Sequence, residues 1–185
     1  MDEKLNKLYI ECIEELKKIN INMLDQKKVG NIDISISKRA TKRYGCCIQE
    51  KPDETSKYRE GRKLKYRKYH MHHILISKWV MSLNDEIIKN TIIHELLHCL
   101  PDCNNHGEKF KYYSKIINQE LGYNISRLGN REEDLKKSNI PIEEEYYKYK
   151  IRCKSCNYIY YRKRLVKNFI KKYYCGICKG KLEII

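Results

Sequence analysis

The sequence predicts an α+β fold, in which a short sheet packs on helices and a small metal-binding module follows. Three patterns lead to this prediction: an amphipathic helical repeat, alternating strand patterns after it, and a second helical segment that carries paired histidines. Two cysteine pairs then mark the separate module. A chain of 185 residues can bury one full core and at most one small additional module.

Local periodicity predicts the first elements. An amphipathic helix is expected over residues 3–20, where apolar side chains recur at three- and four-residue steps: Leu5, Leu8, Cys12, Leu16 and Ile19. The strand candidates that follow are residues 32–37, 44–49 and 70–77. Segment 51–68 is densely charged and contains Pro52 and Gly61, so we expect a loop there.

Two further helices are predicted on either side of a turn. Segment 82–85 offers several N-cap residues with acids in the first turn, and the helix stops before Pro101. The next helix begins after Gly107 and ends at Gly122, a residue that suits a C-cap. The composition then becomes acidic over residues 131–145. We therefore expect two domains, residues 1–140 and residues 146–185.

The helix before Pro101 contains the motif His94-Glu95-Leu96-Leu97-His98, and His106 follows after seven further residues. Histidines four residues apart lie one helical turn above each other, so both imidazoles can reach one ion. Three protein ligands leave the fourth tetrahedral position open for water, as in a catalytic rather than a structural zinc site. The sequence therefore predicts a catalytic zinc ion held by His94, His98 and His106.

Glu95 is the predicted catalytic residue. Zinc lowers the pKa of its water towards neutrality, and Glu95 would take the proton as this zinc-activated water attacks a carbonyl. The motif thus predicts a zinc hydrolase, with a peptide bond as the expected target and a non-peptide bond as an alternative. Two other interpretations stay open: a surface helix with exposed histidines, and a structural zinc site that adds Cys103 or Asp102.

The second metal-binding pattern consists of two Cys-x2-Cys pairs separated by eighteen residues: Cys153, Cys156, Cys175 and Cys178. Each pair can form a tight knuckle that presents two thiolates to one tetrahedral ion, so we predict a zinc ribbon with one structural zinc. About forty residues build little core of their own, and metal binding would supply much of the folding free energy. Four unrelated thiols are the alternative.

Positive charge is concentrated in two segments. Residues 146–185 hold twelve Lys or Arg against one Glu, and residues 51–68 hold eight against three acids. Such blocks favour binding to a polyanion, and nucleic acid is the usual polyanion of the cytosol. We expect DNA as the partner. Aromatic rings stack on bases while cations pair with phosphates, so the predicted contacts are Tyr160, Arg162, Lys163, Arg164, Lys171 and Lys172. The alternatives are a merely soluble basic surface and tyrosines that only pack a β-hairpin.

Composition argues against a membrane or secreted protein. The apolar runs are far shorter than the ~18 residues that span a bilayer, and no charged-then-apolar leader opens the sequence. The five cysteines outside the two pairs are scattered, so we expect reduced thiols in the cytoplasm, at the nucleoid in a prokaryote. We interpret His70, His72 and His73 as ordinary strand residues, with a place beside the active-site cleft as the alternative.

These motifs resemble those of the SprT-like metallopeptidases, relatives of the Spartan proteases. The resemblance rests on residues 94–100, on His106-Gly107-Glu108-Lys109-Phe110, and on the flanking segments 84–93, 74–77 and 43–46. It implies a zincin-like metallopeptidase domain with His106 as third ligand, followed by a zinc ribbon. It also implies an endopeptidase whose partners are DNA and the proteins bound or crosslinked to it. The gap between His98 and His106 is shorter than that family's pattern.

The competing function is a nucleic-acid-binding zinc protein without peptidase activity. The three histidines and Glu95 are all present, which argues against a site that has lost its chemistry. The sequence leaves the oxyanion stabiliser, the strand preference and the oligomeric state open.

Overall fold

The structure is a computed structural model that describes residues 2–23, 25, 27–127, 129–141 and 148–185. The chain divides into two compact units, residues 1–141 (unit 1) and residues 142–185 (unit 2). Helices and short sheets occur together, so the architecture is α+β, as predicted. None of the helices in the described ranges has the length and apolarity that crossing a bilayer requires.

Unit 1 contains four helices and five strands in its described part. In chain order these are α1 (Glu3–Lys18), β1 (Asn31–Ser37), β2 (Gly45–Pro52), β3 (Lys57–Glu60), β4 (Lys63–Tyr66), β5 (Tyr69–Ser77), α2 (Asp85–Leu97), α3 (Glu108–Leu121) and α4 (Arg131–Lys137). Short 3-10 turns at Glu54–Ser56 and Val80–Ser82 precede β3 and α2.

The main sheet of unit 1 has β5 at its centre, parallel to β1 and antiparallel to β2. Alternate residues of a strand face opposite sides, and His72, Ile74 and Ile76 of β5 all point into the core. Helices α1 and α2 contact each other, and α2 also contacts β2 and β5. The sheet therefore presents the end of β2 to the helix that carries the histidine motif.

Helix α2 is buried on most of its circumference, because its apolar residues do not keep to one narrow stripe. Its buried residues are Ile87, Ile88, Thr91, Ile92, Ile93, Glu95, Leu96 and Leu97. Asn84 caps the helix by accepting a hydrogen bond from the Ile87 backbone N–H at 3.0 Å, as the sequence predicts. A helix held on several sides is a rigid support for the side chains at its C-terminal end.

The loop predicted for residues 51–68 is wrong, because this segment forms the β3–β4 hairpin. Lys57 pairs with Tyr66 and Glu60 with Lys63, so Gly61 and Arg62 form a two-residue turn. Gly61 has φ +59°, a left-handed conformation that glycine adopts without a steric penalty. The dense charge that indicated a loop lies instead on a two-stranded ribbon exposed to solvent.

The acidic stretch 131–145 begins with a helix that the composition did not reveal. Helix α4 starts after Asn130, whose side chain accepts from the Glu133 N–H, and three acids occupy its first turn. The Tyr44 hydroxyl donates to Asp134, which fixes this helix within unit 1. Residues 142–147 of the predicted boundary lie outside the described part of the chain.

Unit 2 contains a three-stranded antiparallel sheet in the order β7-β6-β8. Its elements are β6 (Tyr149–Cys153), β7 (Ile159–Arg162), α5 (Phe169–Lys172) and β8 (Leu182–Ile184). Among residues 148–185, the buried cluster consists of four residues, Ile151, Cys153, Cys175 and Leu182. Two of these four are members of the predicted metal set, so the cysteines take the place of a larger core.

Candidate metal centre and active-site cleft

Helix α2 places two histidines one turn apart at its C-terminal end. His94 lies in the last turn and His98 is the C-cap residue, with their ring centroids 5.1 Å apart. His106 comes from the following loop, and its Nε2 lies 3.0 Å from Nε2 of His94. One nitrogen from each ring lies within 4.8 Å of the others. The structure thus brings together all three histidines that the sequence singles out.

The loop between His98 and His106 turns back sharply to make this possible. Asp102 adopts φ +62°, a left-handed conformation that aspartate tolerates better than most residues. The Cys103 carbonyl then lies 2.7 Å from Nδ1 of His98. A carbonyl only accepts, so Nδ1 of His98 carries the proton, and Nε2 keeps its lone pair for a metal.

Phe110 supports the three histidine rings from one side. This side chain is buried in the first turn of α3, and its ring centroid lies 4.7–5.0 Å from each histidine ring. It stacks on His98 with an interplanar angle of 26°. An apolar wall of this kind restricts the ring orientations without competing for the nitrogen lone pairs.

The histidines are held in the neutral form. Burial lowers the pKa of His94 to about 4, and the neighbouring His98 and His106 rings act in the same direction. Burial also lowers the pKa of His98 and His106. All three rings therefore offer lone pairs at neutral pH, which is the state that metal ligation requires.

Glu95 is buried beside the histidines, with only 5% of its surface exposed. Burial raises the pKa of its carboxyl group to about 7, although the Arg43 guanidinium and a hydrogen bond from the Cys47 backbone oppose this shift. A carboxylate whose pKa lies near neutrality can both accept and return a proton. A metal cation bound by the three neutral histidines would favour the ionised form of Glu95.

Gly45 provides the space that the Glu95 side chain occupies. A Cβ atom built at position 45 would lie 2.8 Å from Oε1 and 2.9 Å from Cγ of Glu95. Gly45 is the first residue of β2 and pairs with Ile76 of the central strand, so its backbone is fixed by the sheet. The absence of a side chain here lets the carboxylate lie close to the strand.

A cleft of about 880 Å³ opens over these groups. His94, Glu95, His98 and His106 line it together with residues from β2 and from the loop before α4. Arg43 and Arg127 add positive charge: Arg43 acts on Glu95, and Arg127 helps to lower the pKa of His106. A cavity of this size is typical of ligand-binding sites.

Sequence reasoning missed several residues of this site. Arg43 was noted only as part of a family-like stretch, and Gln49, Arg127 and the Cys103 carbonyl were not singled out. Tertiary packing brings each of these groups to the site, and their spacing in the sequence does not predict it. His70, His72 and His73 do not line the cleft, and His72 is instead buried in the core.

The four cysteines of unit 2 also converge. Sγ of Cys153 lies 3.4 Å from that of Cys178, and Sγ of Cys156 lies 3.6 Å from that of Cys175. All nine cysteines of the chain are free thiols. Four sulfur atoms within 4.8 Å of one another form a closed set without an open position.

Tyr160 completes this cysteine cluster. Its hydroxyl lies 3.1 Å from Sγ of Cys175 and accepts a hydrogen bond from the Gly176 N–H at 3.0 Å. The donated hydrogen bond from Tyr160 is the main reason that the pKa of Cys175 falls to about 6. Tyr160 therefore supports the thiolate form of a metal ligand, and its predicted contact with nucleic acid stays a prediction.

The other predicted nucleic-acid contacts lie on the surface of unit 2. These are Arg162, Lys163, Arg164, Lys171 and Lys172, all of which are exposed. Tyr158 and Tyr161 nearby are 50% and 45% exposed. The unit thus presents cations and aromatic rings together, and the contacts with nucleic acid stay predictions.

The chain was compared with known proteins. The model of the SprT-like family matches residues 12–129, which covers the three histidines, Glu95 and Gly45. The chain belongs to the SprT-like family. It is also 30% identical over 113 residues to a protein from Oceanobacillus iheyensis described as "Protein SprT-like". That match covers 58% of this chain and 65% of the relative, which is less than two thirds of the relative's length.

Membership of the SprT-like family confirms the resemblance drawn from the motifs. The SprT-like match ends before α4, so the cysteine cluster of unit 2 lies outside it. The family assignment therefore applies to the histidine site, and the cysteine site depends on its own geometry.

Proposed function

We propose that this SprT-like protein is a zinc-dependent endopeptidase with a zincin-like domain over residues 1–140 and a zinc ribbon over residues 146–185. One observation carries the proposal: three neutral histidine rings and a buried carboxylate converge on the floor of one cleft. A structural site would leave the carboxylate without a function. A surface helix with two exposed histidines would not bury Glu95.

Both donor sets fit zinc. The 3.0 Å separation of the His94 and His106 nitrogens is close to the ~3.3 Å expected for two imidazoles on one tetrahedral zinc ion. Three histidines leave a position open, whereas four thiols close the second site. When bound at the histidines, zinc supplies Lewis-acid chemistry: it acidifies water and polarises a carbonyl.

The chain's own residues perform the proton transfers. Glu95 takes a proton from the attacking water and passes it to the leaving amine, because its carboxylate is buried beside the cleft. Gly45 gives this carboxylate room, and the Cys47 backbone orients it. Arg43 acts electrostatically on Glu95 and lines the cleft, where it can face negative charge that develops on the substrate.

Charge supports the second part of the proposal, that the substrates are proteins bound or crosslinked to DNA. Unit 2 exposes cations next to aromatic rings, a combination that suits phosphates and unstacked bases. Unit 1 carries a second basic segment on its hairpin.

The test is cleavage of a basic DNA-binding protein by the zinc-loaded full-length chain, with single-stranded DNA, double-stranded DNA or no DNA. We expect DNA to accelerate cleavage. We also expect Glu95→Gln to lower kcat/KM by about 10²–10⁴-fold, because glutamine keeps the size of glutamate but accepts no proton. The zinc content of the variant should equal that of the native chain, since Glu95 is not a ligand.

Four other results would change the assignment. Equal turnover in the native chain and in Glu95→Gln would remove Glu95 as the base. Cleavage that does not respond to DNA would leave a peptidase without the DNA association. DNA binding with no cleavage of any protein substrate would favour a nucleic-acid-binding zinc protein, and cleavage of small amides alone would favour a non-peptide substrate.

A further inference from the structure

The segment from Lys57 to Lys68, here called the basic hairpin, stands out on unit 1. It holds seven Lys or Arg residues and a single acid, Glu60. Glu60 is paired with Lys65, and Lys68 is paired with Asp53. Lys57, Arg59, Arg62 and Lys63 are exposed and form no ion pair with any acid in the described part of the chain. Four cations without an ion pair thus lie on one small ribbon.

The strand register places these cations on a defined face. Lys57 and Arg59 are two residues apart in β3 and therefore point the same way. Their cross-strand partners on that face are Tyr66 and Leu64, the latter 52% exposed. Glu60 lies on the opposite face with its partner Lys63. One face thus combines two cations with an aromatic and an apolar side chain. None of these four strand residues is an acid, and the nearby Glu54 carboxylate accepts a hydrogen bond from the Tyr66 hydroxyl at 3.4 Å.

The base of the basic hairpin is bonded to the loop that carries the third histidine. The Asn104 side-chain amide donates to the Tyr66 carbonyl at 2.8 Å, and the Asp102 N–H donates to the Arg67 carbonyl at 3.3 Å. The Arg67 guanidinium also pairs with the Asp102 carboxylate at 3.3 Å. The hairpin and the loop are therefore connected by three polar contacts.

The same loop is bonded directly to the metal site. The Gln49 amide donates to both the Asn104 side chain and the His98 carbonyl, each at 3.0 Å. The Cys103 carbonyl accepts from Nδ1 of His98. A continuous set of hydrogen bonds thus runs from Tyr66 through Asn104 and Gln49 to His98. His106 lies two residues beyond Asn104 in the same loop.

We propose that the basic hairpin is a nucleic-acid contact of unit 1, and that binding there stabilises the loop that completes the metal site. The proposal rests on the proposed function in taking nucleic acid as the partner. Phosphates neutralise Lys57, Arg59 and Arg62, and the Tyr66 face lies against the sugar and bases. A two-stranded ribbon is narrow enough to enter the major groove of a duplex. The contacts to the loop use the Tyr66 and Arg67 carbonyls and the Arg67 side chain, not the side chains of Lys57, Arg59 or Arg62.

This arrangement makes two binding equilibria dependent on each other. If nucleic acid favours the loop conformation that presents His106, metal binds more tightly in its presence. By linkage, metal must then tighten nucleic-acid binding by the same factor. Couplings of this kind usually amount to about 5–150-fold. Nucleic acid would thereby favour the metal-loaded protein where its substrates are found.

The first experiment measures nucleic-acid affinity of the full-length zinc-loaded chain by fluorescence anisotropy. The probes are labelled single-stranded DNA, double-stranded DNA and RNA, titrated at several salt concentrations. We expect Lys57→Gln/Arg59→Gln/Arg62→Gln to bind at least about five-fold more weakly at low salt, with a salt slope reduced by about 2–3. Arg59→Lys/Arg62→Lys retains the charges and should bind like the native chain.

A matched control removes three cations from helix α1, Lys7→Gln/Lys17→Gln/Lys18→Gln, and should bind within about two-fold of the native chain. Equal losses in both triple variants would indicate a general charge effect and overturn the contact. Native affinity in the hairpin variant would also overturn it, while DNA-stimulated cleavage would keep the proposed function intact. If the native chain binds no nucleic acid at low salt, the DNA association in the proposed function fails instead.

The second experiment tests the coupling without using activity. Cobalt(II) replaces zinc, because its absorption bands distinguish nitrogen from thiolate ligation, and a chelator competes for the ion at the histidines. With DNA present, the native chain should hold this ion at least about five-fold more tightly. The hairpin variant should lose this gain. Asn104→Ala should also lose the DNA-dependent gain in metal affinity. This variant keeps the cations of the basic hairpin, so it should still bind DNA. A DNA-independent metal affinity in the native chain would overturn the coupling.

Discussion

Gly45 shows how a single position shapes the candidate active site. The Glu95 carboxylate occupies the volume that any side chain at position 45 would need, and the strand backbone leaves little room to shift. We expect Gly45→Ala to displace the carboxylate and to lower kcat/KM by about 10²-fold or more, because a general base must lie within hydrogen-bond reach of the proton that it removes.

The measurement for Gly45→Ala is protease activity together with zinc content and Tm. The three atoms nearest to the added methyl group belong to Glu95 and Leu75, not to a histidine, so zinc content should match that of the native chain. Full activity in this variant would show that the base tolerates another position. A loss of zinc along with activity would indicate that the whole site had moved rather than Glu95 alone.

The residues that the sequence predicted are those whose geometry a helix determines. His94 and His98 must share a face because they are four apart, and Glu95 must lie beside them. His106 was within reach because the intervening loop is short. Arg43, Gly45 and the Cys103 carbonyl belong to the same site, but they arrive through the β2–α2 packing and a left-handed turn, which no local pattern specifies.

At the scale of elements, the central strand β5 contains an unusual core residue. His72 is 1% exposed, and its Nδ1 has no hydrogen-bond partner among the described residues. Burial lowers its pKa to about 4, although a hydrogen bond to the Asn31 backbone opposes the shift. His72 is therefore neutral in the folded protein at pH 7, whereas in the unfolded chain it titrates near pH 6.5.

This difference predicts a loss of stability in mild acid. As the pH falls from 6.5 towards 4, the unfolded chain binds a proton at His72 that the folded chain does not. Between pH 7.5 and pH 5 the free energy of unfolding should fall by about 2 kcal/mol through this residue. Denaturant unfolding at both pH values measures the loss, and His72→Phe should reduce it. The exposed His70→Gln on the same strand is the control; an equal pH dependence in native and His72→Phe proteins would rule out the assignment.

Element prediction succeeded where one face of the element is buried. Helix α1 and strand β1 show this, because burial imposes a period of 3.6 or 2 on their apolar residues. It failed for the β3–β4 hairpin, whose strands are largely exposed. No buried face imposes an alternating apolar pattern there, so the high charge density indicated a loop. The hairpin forms through backbone pairing of its two strands and a turn at Gly61.

At the scale of the whole molecule, different interactions stabilise the fold of each unit. Unit 1 has an extensive apolar core that includes most of α2, and its histidine site lies at the edge of that core. The described part of unit 2 has four buried residues, of which two are cysteines of the candidate zinc site. The sequence indicated this difference through its cysteine spacing, because a segment with so few apolar residues needs another source of folding free energy.

Metal removal should therefore affect the two units unequally. A strong chelator takes away the ligand that brings four thiols together, and the small cluster of unit 2 offers little else to oppose chain entropy. Unit 1 would lose the metal of the histidine site on chelation but keep its buried core.

We expect residues 148–185 to become sensitive to proteolysis. The fluorescence of Trp79 should stay close to native, and this residue is the only tryptophan of the sequence and belongs to unit 1. Cys175→Ser should reproduce this result without a chelator, since serine cannot replace the thiolate. If Trp79 responds to the same degree as unit 2, the histidine site also stabilises the core of unit 1, and its metal has a structural as well as a chemical role.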